Sequence, residues 1–165
     1  MAGTYEPIAS TTVSAVSSYT FSSIAADWTD LLITYALTSD TSSNDIFARF
    51  NSDSGTNYSH TRMWGNGSSA LSDRGSNTNR LYVDASGYPS NDGRIAASTI
   101  QVMSYANTSV YKTVLSATGT AAGGVDRVVS LWRSTAAITA IQLFPAGGTM
   151  TGTLALYGIK AAANG

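Results

Sequence analysis

The feature that most constrains this chain is strict alternation. LLITYAL (31–37) places Leu31, Ile33, Tyr35 and Leu37 on one side of an extended segment and polar or small residues on the other. DIFARF (45–50) groups Ile46, Ala48 and Phe50, and VYKTVLS (110–116) sets Tyr111, Thr113 and Leu115 against Lys112 and Val114. VDRVVSLWR (125–133), AITAIQLF (137–144) and GTLALYGIKA (152–161) continue the pattern. Successive side chains of a strand point to opposite faces, so a period of two is the signature of half-buried β-structure. STAAITAIQLF (134–144) is rich in Ala, but its β-branched residues and the preceding VVSLWR favour strand over helix.

Between these runs lie NSDSGTN, GNGSSALSDRGSNTN, ASGYPSNDG and PAGGTMTG. Gly and Asn tolerate positive φ, and Asp and Ser bond to nearby backbone, so these are turns with a mechanism. Short strands separated by turns along the whole length predict an all-β fold. About eight or nine strands are expected, in a two-sheet antiparallel sandwich of jelly-roll type. The long interruption at 65–79 is expected to hold a minor strand or a functional loop. No fixed-period repeat, heptad or glycine triplet occurs, which excludes a solenoid, a coiled-coil shaft and collagen.

At 165 residues and 17.1 kDa a single domain is expected. Residues 13–165 are assigned to the sandwich. Residues 1–12, with Tyr5, Pro7 and Ile8, are assigned to an extended N-terminal arm that docks on a partner or a sister subunit. There is no cysteine, so disulfides and thiolate metal sites are excluded. Charged residues make up 12% of the chain and the net charge is −1. No basic stripe exists to neutralise phosphates, so nucleic acid is not an expected partner. Neither a secretory signal nor a run near the ~20 apolar residues of a membrane span occurs. Synthesis in a cytoplasm and no membrane partner are therefore expected.

Chemistry is poorly provided for. RFNSDSGTNYSH (49–60) carries Asn51, Asp53 and Gly55 at alternate positions, as calcium loops do. Such a loop needs Gly at its sixth position and Glu at its twelfth; here these are Thr56 and Arg62. A looser site using Asp40, Asp45 or Asp53 is less economical than a turn in which Gly55 takes positive φ. His60 is the only histidine and Glu6 the only glutamate. No nucleophile elbow or phosphate loop is present. The expectation is a protein without enzymatic activity, cofactor or metal.

One constellation points to binding. With Ile46, Ala48 and Phe50 facing the core, Phe47 and Arg49 face away. Tyr58, His60, Arg62 and Trp64 share one strand face, and Ser59, Thr61 and Met63 share the other. Arg62 resists unpaired burial, so the first set is expected outward, as a contact surface of hot-spot composition. The alternative has Tyr58 and Trp64 inward, with Arg62 reaching out at an edge.

YTFSSI (19–24), WTDLLITYAL (28–37), FARFNSDSGTNYS (47–59), WGNGSSALSDRG (64–75), YKTVLS (111–116), SLWRSTAAITAIQLF (130–144) and LALYGIKAA (154–162) together resemble virion structural proteins of tailed bacteriophages, those of cyanophages and other aquatic phages above all. LWRSTAAIT and LYGIKAA are the most specific parts of the likeness. The resemblance implies a β-sandwich carried on the virion, without enzymatic activity. With no trunk in the sequence, a capsid-decorating (cement) protein is the expected form. It would bind the major capsid protein, as a homo-oligomer of which a trimer is the expected state. The alternative is a receptor-binding module of a tail fibre or spike, touching glycan through Trp64 and Tyr88. A small polysaccharide hydrolase lacks an evident acid–base pair.

Overall fold

The alternation along residues 30–39 becomes a ten-residue strand whose side chains strictly alternate between buried and half-buried. In the computed structural model, described for residues 4–42, 44–84, 89–120 and 123–160, this regularity recurs across the chain. Twelve strands form: β1 (Tyr5–Val16), β2 (Tyr19–Phe21), β3 (Asp30–Ser39), β4 (Ile46–Phe50), β5 (Tyr58–Gly65), β6 (Ala70–Thr78), β7 (Leu81–Tyr82), β8 (Ala96–Val102), β9 (Lys112–Thr120), β10 (Gly124–Trp132), β11 (Ile141–Pro145) and β12 (Met150–Ile159).

They make an eight-stranded sheet, in the order β1-β12-β3-β8-β9-β10-β5-β6, and a four-stranded sheet, β2-β11-β4-β7. All pairings are antiparallel. The set β1-β12-β3-β8 facing β2-β11-β4-β7 has the strand order of an eight-stranded jelly roll. The chain changes sheet between β1 and β2, β2 and β3, β3 and β4, β4 and β5, β6 and β7, β7 and β8, β10 and β11, and β11 and β12. Two hairpins are inserted into this frame. β5–β6 lies between the fourth and seventh strands, β9–β10 between the eighth and eleventh, and the two together widen one sheet from four strands to eight. These insertions account for the excess over the expected eight or nine strands. The 65–79 interruption holds one of them, β6.

The core lies between the sheets. Leu31, Ile33, Leu37, Ile46, Phe50, Leu81, Ile100, Val114, Ile141, Leu143, Leu154 and Leu156 all face it and are buried. Beside the inserted strands the interior turns polar. Ser116 Oγ donates to the Val83 carbonyl at 2.6 Å, Ser130 Oγ to the Tyr82 carbonyl at 3.1 Å, and Thr118 Oγ1 to Ser98 Oγ at 2.7 Å. Buried Asp84 accepts from the Ile46 amide and the Tyr35 hydroxyl, at 2.9 and 2.8 Å. Hydroxyls thus tie the extension to the short β7, a strand too short to do so through its own ladder. Each of these hydroxyls and the Asp84 carboxylate has a partner, which is what lets them stay buried.

Residues 5–12 correct the expected domain boundary. They are the first part of β1, paired with β12 from Tyr5↔Ile159 to Thr12↔Thr153. Ile8 and Ala9 pack on the core. Glu6 accepts from Trp28 Nε1 at 3.3 Å and from Lys160 Nζ at 3.1 Å. Tyr5 and Pro7 remain exposed on this edge strand. Pro7 sits at a register shift in the pairing, where its missing N–H does least harm.

Candidate functional site

Two surfaces on opposite sides of the sandwich carry the residues that could act. The first is the outer face of the eight-stranded sheet. One tier across all eight strands reads Ala70, Gly65, Val125, Gly119, Ala97, Ala36, Thr153 and Thr12, with no charge. The next reads Ser72, Met63, Arg127, Ala117, Thr99, Thr34, Ala155 and Ser10, with a single cation. Seven strand spacings make this face about 34 Å wide. On it Val125 is 67% exposed, Met63 62%, Val129 50% and Leu115 40%. Met63, Gly65, Ala70, Val125 and the Arg127 stem line a shallow apolar depression of ≈ 640 Å³. A Cβ at Gly119 would stand 2.8 Å from the Gly124 carbonyl and 3.1 Å from a Val125 methyl, so glycine is required for the β9–β10 approach there.

The second surface gathers five of the sequence-derived contact residues, Phe47, Arg49, His60, Arg62 and Trp64. Phe47, Tyr82 and Phe144 lie in one row on the outer face of the four-stranded sheet. Phe47 meets Tyr82 edge-on, with centroids 4.8 Å apart, and Phe144 at 5.8 Å. Three guanidiniums stack on these rings. Arg80 lies 4.0 Å over Phe47, Arg49 4.7 Å over Phe144, and Arg62 5.2 Å over Tyr82 and 5.0 Å over Trp64. Arg62 arrives from β5, because the end of the large sheet reaches round the edge strand β7. Asp73 on β6 holds it through two bonds, at 2.6 and 2.7 Å. That carboxylate raises the Arg62 pKa, and Arg62 in turn lowers that of Asp73. His60 packs on Tyr82 with centroids 4.1 Å apart. Burial first, then Arg62, lowers its pKa, while Asp73 opposes this.

The expected orientation of the β5 set is corrected here. Tyr58, His60, Arg62 and Trp64 do share a face, but it is the inner one: Tyr58 is 0% exposed and His60 9%. The reason is Asp73, which supplies Arg62 with the partner whose absence argued for an outward face. Tyr58 leaves the cluster altogether. It stacks on Trp132 in the core, donates from its hydroxyl to the Asp53 carbonyl at 3.0 Å and accepts from the Phe50 amide at 3.2 Å. Phe47 does face away from the core, yet it is only 2% exposed, because Arg80, Tyr82 and Phe144 cover it. Arg49 and Trp64 are half-buried at the cluster. Tyr5, Pro7 and Ile8 lie on β1, away from it, and Tyr88 lies outside the described residues. Arg80, Tyr82 and Phe144 are the members that sequence reasoning missed. Their signal was faint: Arg80 precedes and Tyr82 ends a two-residue strand, and Phe144 ends a run read as core.

The 51–57 stretch is a turn. Asp53 Oδ1 accepts from the Gly55 amide at 2.8 Å, and Oδ2 accepts from Asn57 Nδ2 at 2.9 Å and Trp132 Nε1 at 2.7 Å. Positive φ falls on Asn51 and Ser52, at 51° and 59°, not on Gly55 as expected. Asp40 accepts from the Thr149 amide at 2.8 Å. Among the described residues no group of three or more His, Asp or Glu side chains converges as metal ligands would.

No family model matches the chain, and no curated protein matches it. Among solved structures, one of the alginate lyase Aly36B, a mutant in complex with alginate tetrasaccharide, aligns at 9% identity with a TM-score of 0.29. The alignment covers 82% of this chain and 72% of that one.

Proposed function

We propose that this protein is a virion structural subunit that acts by adhesion. In this reading the outer face of its eight-stranded sheet docks on the major capsid protein of a tailed phage head. The observation that carries the reading is the tier of eight small or apolar residues, without charge, that crosses the whole sheet beside exposed Val125, Met63, Val129 and Leu115. An exposed apolar surface of this breadth marks a contact site on a soluble protein. Its small side chains let a second flat surface approach closely, and its scarcity of charge suits shape and apolar contact over ion pairs. The sequence resemblance to phage virion proteins supplies the partner.

The mechanism is linkage. A subunit that binds only the assembled lattice stabilises that state by mass action. Many copies, each weakly held, add their contributions over a symmetric shell, and oligomerisation as a trimer would multiply the contacts of each unit.

The test is re-binding to particles stripped of the protein. Met63→Lys/Val129→Lys should lose at least tenfold in occupancy while keeping the wild-type circular dichroism. An Arg49→Gln variant, altered on the opposite side, should bind as wild type does. Equal occupancy by the lysine variant would refute the docking face.

A further inference from the structure

The arginine–aromatic cluster faces away from the proposed docking surface, and its charge is unbalanced. Arg62 is matched by Asp73, whereas among the described residues neither Arg49 nor Arg80 has a carboxylate within ion-pair distance. Arg49 uses Nε on the Asn79 carbonyl at 3.1 Å, and its terminal nitrogens have no protein acceptor among the described residues. Arg80 is held by stacking on Phe47 at 4.0 Å and Tyr82 at 5.9 Å. Two half-exposed guanidinium forks are therefore fixed in place by rings on a chain where charge is scarce. Fixing them in advance lowers the entropy lost when an anion binds.

We propose that Arg49 and Arg80, mounted on Phe47, Phe144 and Tyr82, bind the carboxylate or sulfate groups of an acidic polysaccharide. The guanidinium fork matches either group through paired hydrogen bonds. The surface is open, so an isolated small anion would find few contacts, whereas a polymer can repeat them. Tyr82 and Trp64 are half-exposed beside the two forks, and Gln142, opposite Arg49 in the β4–β11 ladder, offers an uncharged hydrogen-bonding group. This inference does not depend on where the protein sits on a particle.

The test uses the purified protein in affinity electrophoresis and calorimetry. The probes are polygalacturonate, dextran sulfate, neutral dextran, sodium acetate, sodium sulfate and poly-glutamate. Binding to polygalacturonate, dextran sulfate or both is expected, weakening with salt, with none to dextran and none measurable for the free anions. Arg49→Gln/Arg80→Gln should lower affinity at least tenfold, and Arg74→Gln/Arg127→Gln, on the other face, less than twofold. If the first double variant fails to fold, Arg49→Gln alone, which leaves Phe47 covered, should still lower affinity at least threefold. The proposal fails if neither polyanion binds or if the Arg49 and Arg80 variants bind as wild type does. It also fails if the Arg74/Arg127 variant loses as much, or if poly-glutamate or the free anions bind as tightly as the polysaccharides.

Discussion

Trp132 donates its indole N–H to Asp53 Oδ2 at 2.7 Å, joining the core end of β10 to the β4–β5 turn. The same carboxylate holds Gly55 and Asn57. Burial works against its charge, but the bonds from Trp132, Asn57 and Gly55 outweigh this and leave the pKa lowered. An acid with a lowered folded-state pKa stabilises the fold above its unfolded pKa, near 4, and loses that contribution as pH falls through the folded value. Asp53→Ala should cost about 1.5–3 kcal/mol at pH 7, the worth of hydrogen bonds to a charged group. Urea titrations of wild type and variant should converge as pH is lowered below about 4.

His60 responds to acid over a higher range. It is buried against Tyr82, and its Nδ1 has no hydrogen-bond partner among the described residues. The folded-state pKa lies below the ordinary value near 6.5, so the unfolded chain takes up the proton first. Stability should therefore be full above pH ~6.5 and decline below it. The groups facing the ring are Arg62 and Asp73, and Asp73 only partly offsets the effect. His60→Gln should flatten the decline between pH 7 and 5 in chemical denaturation.

Gly75, across from His60 on β6, is required by the same packing. A Cβ there would stand 2.6 Å from His60 Cε1. Gly75→Ala should cost about 1–3 kcal/mol by overpacking, seen as a lowered urea midpoint at unchanged slope.

How much of this was legible in the sequence depended on whether the deciding contact was local. The face of Leu31, Ile33, Tyr35 and Leu37 follows from alternation alone, and so does the grouping of Tyr58, His60, Arg62 and Trp64. Which way that second group pointed did not, because the answer lies in Asp73 on another strand. Residues 137–140 alternate like strand, yet β11 starts only at Ile141. Ile138 is buried within a loop whose backbone bonds to Tyr105 instead. The cluster around Phe47 was half visible for the same reason. Phe47 and Arg49 share a strand, but Arg80 and Phe144 reach it only through sheet order.

Lys112 shows a cation serving the core. Its side chain is buried, and Nζ donates to the carbonyls of Asn107, Val110 and Thr135 at 2.6, 2.8 and 3.3 Å. Burial lowers its pKa. Lys112→Met keeps most of the volume but strands three acceptors. It should cost about 2–4 kcal/mol in denaturant unfolding, and hydrogen exchange should rise first in residues 103–111.

Residues 5–9, assigned from sequence to a docking arm, are instead tied in by pairing with β12 and by Glu6. Deleting them would expose the β12 edge and free Trp28 and Lys160. The melting temperature should fall by at least about 5 °C, in line with a loss of a few kcal/mol in a domain of this size.

A protein that adheres to the head, as proposed, is present in many copies per particle. Gel densitometry of purified particles, scaled to the major capsid protein, tests this most directly. On the order of hundreds of copies per virion are expected, as a symmetric shell demands. A value of about ten or fewer, the stoichiometry of a tail appendage, would contradict it.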